Sequence, residues 1–156
     1  MKKYYFFIYF FIFVFSFNNN LKSEIKNKII VKVDKKIITS FEVKNKILST
    51  LIIAGNEITQ ENINKLKGRT LENLILFKLK EIELERFDFK ISDQRINTVI
   101  NNFSKNNTQE LKNKFNINGL DFNLWVKEVE TELKWQQFIY YKYSNKIEID
   151  KNIIEA

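Results

Sequence analysis

The amino-acid sequence predicts a mainly α-helical domain that begins with a small β-hairpin. The stretch from Asp121 to Tyr143 carries apolar residues at helical spacing and would form a rod roughly 35 Å long. Residues typical of helix N-caps precede several other segments with the same spacing. An alternating apolar segment near the N-terminus is interrupted only by Asp34 and Lys35, which is typical of a hairpin.

The hairpin leads directly into the first predicted helix. Ile29, Val31 and Val33 alternate with other residues before the turn, and a second short strand ends near Thr39. Thr39 is followed three residues later by Glu42, the spacing of a capping box. We therefore expect a helix from this point to residue 54, with Gly55 ending it.

The middle of the chain predicts a short helix over residues 60–67, which Gly68 breaks, and a long helix over residues 69–87. The long helix has an apolar side that includes Leu79, widened by Leu76, Phe77 and Leu84. Its expected solvent-facing residues are Glu72, Lys78, Lys80, Glu81, Glu83 and Glu85.

Two shorter helices and the long aromatic helix follow. Ser92 is expected to cap a helix over residues 93–104, Thr108 to cap another that ends at Gly119, and Asp121 to cap the last. Residues 146–150 are predicted as a brief strand. The inward-facing residues of the two shorter helices are predicted to be Ile96, Val99, Ile100, Phe103, Leu111 and Phe115.

Residues 1–23 have the three-part layout of a secretory signal peptide. Two lysines precede a wholly apolar run of about twelve residues, and small and polar residues follow it. The run is too short to cross a bilayer of roughly 30 Å as a helix, although an uncleaved membrane tether remains the alternative. We expect a periplasmic domain over residues 24–156.

Composition excludes several kinds of site. Among its 156 residues the chain has no cysteine, histidine or proline, so thiolate and imidazole metal ligands, disulfides and imidazole bases are absent. We expect no metal site, no cofactor and no catalytic residue. Of the formal charge of +7, three charges lie in the predicted signal peptide, and the rest is interpreted as solvated surface rather than a nucleic-acid interface. Carboxylates such as Glu81, Glu83, Glu128 and Glu130 alternate with core residues and are likewise interpreted as solvated.

The order of these parts resembles the N-terminal chaperone domain of the SurA family of periplasmic foldases. The resemblance rests on residues 29–43 (IIVKVDKKIITSFEV), residues 70–115 and residues 119–138, and its most specific stretch runs from Lys90 to Thr108. It covers nearly all of the predicted mature chain. Other exported helical chaperone domains, those of PrsA and PpiD, share the general build.

The resemblance implies a non-enzymatic chaperone with unfolded outer-membrane protein precursors as partners. In the family, parvulin-type prolyl isomerase domains follow this domain, and a C-terminal segment returns to complete its core. The present sequence ends where the first isomerase domain would begin. We therefore expect no isomerase activity, and some apolar surface either open or covered by a second copy in a homodimer.

A concave apolar and aromatic surface would bind many unfolded sequences without ATP, because burial of apolar area is non-directional. The predicted polypeptide-binding residues are Trp125, Trp135, Phe138, Tyr140 and Tyr141. Tyr140 and Tyr141 point about 100° apart on a helix, so they are not both expected to be buried. The alternatives are a periplasmic assembly subunit that dimerises through the same face, and a member of the peptidylprolyl isomerase family that has lost catalysis.

Overall fold

The computed structural model describes residues 27–144, which form a two-stranded antiparallel hairpin followed by five helices. The predicted fold class is thus confirmed. The predicted signal peptide and the predicted strand at residues 146–150 lie outside the described residues. The elements are β1 (Ile29–Val33), β2 (Lys36–Thr39), α1 (Ser40–Ala54), α2 (Gln60–Leu84), α3 (Asp93–Phe103), α4 (Thr108–Ile117) and α5 (Phe122–Tyr143).

The hairpin turns at Asp34 and Lys35, as predicted. Val33 pairs with Lys36 across the turn, and Asp34 adopts a positive φ of 51°, a conformation that aspartate tolerates better than most residues. The register shifts between Ile29 and Val31, which marks a bulge near the start of β1. Ile38 on β2 is fully buried, so one face of the hairpin packs against the helices.

Helix α1 begins and ends as its local sequence predicts. The Thr39 backbone N–H donates to Glu42 Oε2 at 2.8 Å, and the Glu42 N–H donates to Thr39 Oγ1 at 3.2 Å, which completes the capping box. At the other end Gly55 takes the left-handed conformation, with φ of 70°. Its backbone N–H then satisfies a carbonyl of the last turn.

Helix α2 corrects the prediction of two helices, because it runs unbroken through Gly68. A helical glycine costs about 1 kcal/mol relative to alanine, too little to end a helix whose flanks are held elsewhere. Ile63 and Leu66 pack against the core on one side of Gly68, and Leu74 is buried on the other. Helix α2 ends at Leu84, three residues before the predicted end.

Helix α3 has the predicted N-cap residue, whereas the N-cap of α4 lies one residue before the predicted one. Ser92 caps α3 as predicted, and its hydroxyl accepts from the Arg95 N–H. The cap of α4 is Asn107 rather than Thr108, since the Asn107 side chain accepts from the Glu110 N–H at 3.1 Å. The Thr108 hydroxyl donates instead to Asn101 Oδ1 at 2.8 Å, which ties the two helices together.

Helix α5 spans the predicted residues and is fixed at its start by α1. Its N-cap Asp121 accepts from the Asn123 N–H at 2.8 Å. Buried Asn45 of α1 accepts from the Asp121 N–H at 2.8 Å and donates to the Asp121 carbonyl at 3.2 Å. The core collects apolar side chains from four helices and from the loop between α4 and α5, namely Ile47, Leu48, Leu51, Ile100, Leu111, Phe115, Leu120, Trp125, Val129 and Leu133.

Several predictions of burial are wrong. Leu79, expected on the apolar side of α2, is exposed, whereas Lys78 and Glu81, expected in solvent, are buried. Phe103, expected inside, is 52% exposed at the end of α3. For α2 the cause is that it contacts the hairpin, α1 and α5 at once, so its buried face is not the face with the most apolar residues.

Candidate polypeptide-binding site

The five predicted site residues on α5 fall into two groups. Trp125 and Phe138 are buried, and Trp135 is half-buried, so these three rings mainly support the fold. Tyr140 and Tyr141 are 76% and 68% exposed. The two tyrosines are therefore the members of the set that a partner could contact without rearrangement of the helix.

The rings near the C-terminal end of α5 form a cluster with the segment that follows α2. Phe138 lies 5.0 Å from the Phe87 ring centroid and 5.0 Å from that of Trp135. The Tyr141 ring meets Phe89 edge-on at 6.1 Å between centroids. Edge-on and tilted pairs of this kind are favourable, so the cluster holds the end of α5 in place and leaves Tyr140 projecting from it.

A concave groove of about 640 Å³ lies between α2, α3 and α5. We call it the α2–α3–α5 groove. A volume of this size lies within the range of roughly 300–1,000 Å³ that is typical of ligand clefts. Its apolar walls include Leu76, Phe77, Val99, Phe103, Trp125 and Val129.

The groove is accessible from solvent, because two exposed side chains lie on its opposite walls. Leu76 of α2 is 55% exposed, and Phe103 of α3 stands edge-on to Trp125 at 6.0 Å between ring centroids. Trp125 in turn packs against Phe115 and Phe122 of the core, at 6.0 and 5.2 Å. The wall is thus anchored to the rigid interior while its outer surface stays accessible.

Sequence reasoning placed Leu76, Phe77 and Phe103 in the core and so missed the groove. One signal was available: residues 74–77 are four consecutive apolar residues on a helix, which cover its whole circumference and cannot all face one side.

Two ion pairs cross the groove and join its walls. Lys46 of α1 pairs with Glu128 of α5, and Lys80 of α2 pairs with Glu132 at 2.5 Å. Burial raises the pKa of Glu128, and the charge and hydrogen bond of Lys46 oppose that effect. The Lys80 ammonium also lies 5.7 Å from the Trp135 ring centroid, a cation–π contact.

A further set of ion pairs forms a cluster in which Lys78 and Glu81 are buried. Lys78 Nζ lies 2.8 Å from Glu42 Oε1 and 3.5 Å from Glu81 Oε2, and Lys127 Nζ lies 2.6 Å from Glu81 Oε1. The cluster links α1, α2 and α5 side by side. Because its charges are paired internally, we interpret it as a structural element that fixes the helices rather than as a reactive site.

A second concave surface, of about 480 Å³, lies between the hairpin, α1 and α2. Its walls are almost wholly apolar, and Ile30, Val43, Ile47 and Ile63 contribute to them. It contains none of the predicted site residues, so the α2–α3–α5 groove and the exposed tyrosines of α5 are the surfaces that bear on the predicted function.

Over residues 27–144 no three or more aspartate, glutamate, histidine or cysteine side chains come together to hold a metal ion. No helix within that range has both the length and the apolarity to cross a bilayer.

Comparisons of the chain with protein-family models, with curated proteins and with solved structures found no match. Membership of the SurA family therefore stays a prediction from the sequence resemblance.

Proposed function

We propose that the protein is a periplasmic, ATP-independent chaperone of the SurA type that holds unfolded polypeptide, above all outer-membrane protein precursors. The observation that carries the proposal is the α2–α3–α5 groove, whose apolar walls are partly exposed and whose floor is fixed to the core. Contiguous exposed apolar surface of this kind marks interaction sites on folded proteins.

The walls of the groove suit reversible binding of varied sequences. Leu76 and Phe103 offer apolar area without a directional hydrogen bond, so many client side chains would gain similar free energy there. Each buried apolar side chain contributes about 1.5–3 kcal/mol before the entropic costs of association. A client that engages two or three such positions would bind weakly enough to be released without ATP.

The exposed end of α5 supplies a second contact surface. Tyr140 and Tyr141 combine large rings with few rotatable bonds, so each buries considerable area at low entropic cost. A long unfolded chain could engage this surface and the groove together. Two weak contacts on one chain raise the overall affinity without making either one tight.

The second candidate is an assembly subunit that dimerises through the same face. Leu76 and Leu79 favour it, because they lie three residues apart on α2 and are both exposed. An isologous dimer would cover these side chains in both copies.

Light scattering from a denatured outer-membrane β-barrel protein tests the proposal. We expect a stoichiometric amount of the purified protein to suppress aggregation, and the double variant Leu76→Ser with Phe103→Ser to lose at least about half of that effect. The matched control is Ile117→Ser, since Ile117 is 84% exposed and lies outside the groove. Sedimentation of the same samples gives the oligomeric state. Absence of suppression together with a tight dimer would reject the chaperone and favour the assembly subunit.

A further inference from the structure

The charges that line the α2–α3–α5 groove do not balance. Its walls carry three cations, Lys46, Lys80 and Arg95, and two anions, Glu128 and Glu132. Both lysines are paired with the two glutamates. Among residues 27–144, no carboxylate lies within ion-pair distance of Arg95, although its side chain is exposed beside the apolar wall.

Arg95 is aligned with the apolar part of its own wall. Arg95, Val99 and Phe103 succeed one another at intervals of four residues on α3, and all three line the groove. Four residues of helix rise about 6.0 Å. Alternate residues of an extended chain are about 6.6 Å apart, so the two periods nearly match over this length.

An extended segment that lies along α3 would therefore place alternate side chains against the three positions in turn. If two of them are apolar and meet Val99 and Phe103, the third comes beside Arg95. A guanidinium binds a carboxylate through two parallel N–H donors and keeps its charge at every physiological pH.

We propose that Arg95 is a carboxylate-recognition residue, and that the groove selects extended polypeptide segments in which one acidic side chain and two apolar side chains occupy alternate positions. The inference rests on the proposed function, because it specifies which segments of an unfolded client the groove holds. Apolar contacts along the wall supply general affinity, and the ion pair with Arg95 supplies the preference.

Fluorescence anisotropy with two labelled peptides tests the proposal. In both peptides, leucine and phenylalanine alternate with serine. The first carries a glutamate at the next alternate position and the second a glutamine, and blocked termini leave the glutamate as the only charge on the peptide. We expect the purified protein to bind the glutamate peptide about five- to tenfold more tightly at low salt, and less so at high salt.

The matched pair of variants is Arg95→Gln and Arg69→Gln. Arg69 is also an exposed arginine with no ion pair to the described residues, but it lies on α2 outside the groove. Loss of the preference in Arg95→Gln and its retention in Arg69→Gln is the expected result. Because both side chains are exposed, circular dichroism and thermal unfolding should be unchanged in both variants.

The outcomes separate this inference from the proposed function. Equal binding of the two peptides by the wild-type protein would overturn carboxylate recognition and leave the chaperone proposal standing. A preference that survives in Arg95→Gln would place the recognition elsewhere and also overturn it. Binding of neither peptide, together with failure to suppress aggregation, would overturn both proposals.

Discussion

Lys78 Nζ donates to Glu42 Oε1 at 2.8 Å across the interface between α2 and α1. The same Glu42 carboxylate accepts from the Thr39 backbone N–H through its other oxygen. One side chain thus closes the capping box of α1 and neutralises a buried lysine of α2. Local helix capping and packing of the two helices are coupled at this residue.

Replacement of Glu42 by glutamine should destabilise the fold by about 2 kcal/mol, because buried Lys78 would retain only the longer ion pair with Glu81. Urea unfolding followed by circular dichroism measures the change. The control is Glu61→Gln, which removes an exposed pair with Lys65 on one helix and should cost less than about 0.5 kcal/mol. Equal losses in the two variants would show that burial adds nothing to the Glu42 pair.

The lowered pKa of Glu42 predicts how the stability of the fold changes in acid. Burial works to raise the pKa of Glu42, but hydrogen bonds from Lys78 and Thr39 outweigh it, so the pKa lies below its ordinary value of 4.5. The unfolded chain then binds this proton more tightly than the folded protein. The contribution of Glu42 to stability is therefore complete above pH 4.5 and is lost as the pH falls through the lowered pKa.

Unfolding free energies of wild type and Glu42→Gln across pH 3–7 test this. We expect the difference between the two proteins to be largest at neutral pH and to shrink as the pH falls below about 4.5, since glutamine does not titrate. A difference that is constant over this range would mean that Glu42 stabilises the fold through packing and not through its charge.

Two glycines should respond to alanine with opposite signs. Gly68 is helical and has no atom within 4 Å of an added Cβ, so Gly68→Ala should stabilise the protein by about 0.5–1 kcal/mol. Gly55 also has free space but holds φ at +70°, and Gly55→Ala should destabilise by about 1 kcal/mol. Thermal unfolding distinguishes the two. A loss of stability in Gly68→Ala would contradict the continuous helix.

These glycines illustrate which parts of the fold the sequence could predict. The capping box of Thr39 and Glu42, the Ser92 cap and the left-handed Gly55 depend on residues a few positions apart, and all were predicted correctly. Gly68 was predicted to break a helix because its local preference is unfavourable. Packing of α2 on both sides of it overrides that preference.

The packing of the helices and the proposed binding surface were harder to predict, because they depend on contacts that are distant in sequence. Glu42 and Lys78 are 36 residues apart, and no local pattern shows that they pair and bury each other. The groove likewise arises where α2, α3 and α5 meet. Sequence reasoning found the aromatic content of α5 but not which rings other helices cover, so Trp125 and Phe138 were grouped with Tyr140 and Tyr141.

Substitutions of Tyr140 and Tyr141 at the end of α5 test what each ring contributes to stability. Tyr140 has no ring contact to the described residues, so Tyr140→Ser should change the free energy of unfolding by less than about 0.5 kcal/mol. Tyr141→Ser removes the edge-on contact with Phe89 and should cost about 0.5–1.5 kcal/mol. Chemical unfolding of the single variants measures both.

The double variant Tyr140→Ser with Tyr141→Ser should also suppress aggregation of a denatured β-barrel protein less well than wild type, because two exposed rings are lost from the proposed contact surface. The control, Tyr140→Phe with Tyr141→Phe, keeps both rings and should retain most of the activity. If the serine variant is as active as wild type while the groove variants are impaired, clients bind in the α2–α3–α5 groove alone. The exposure of the tyrosines would then have no part in holding clients.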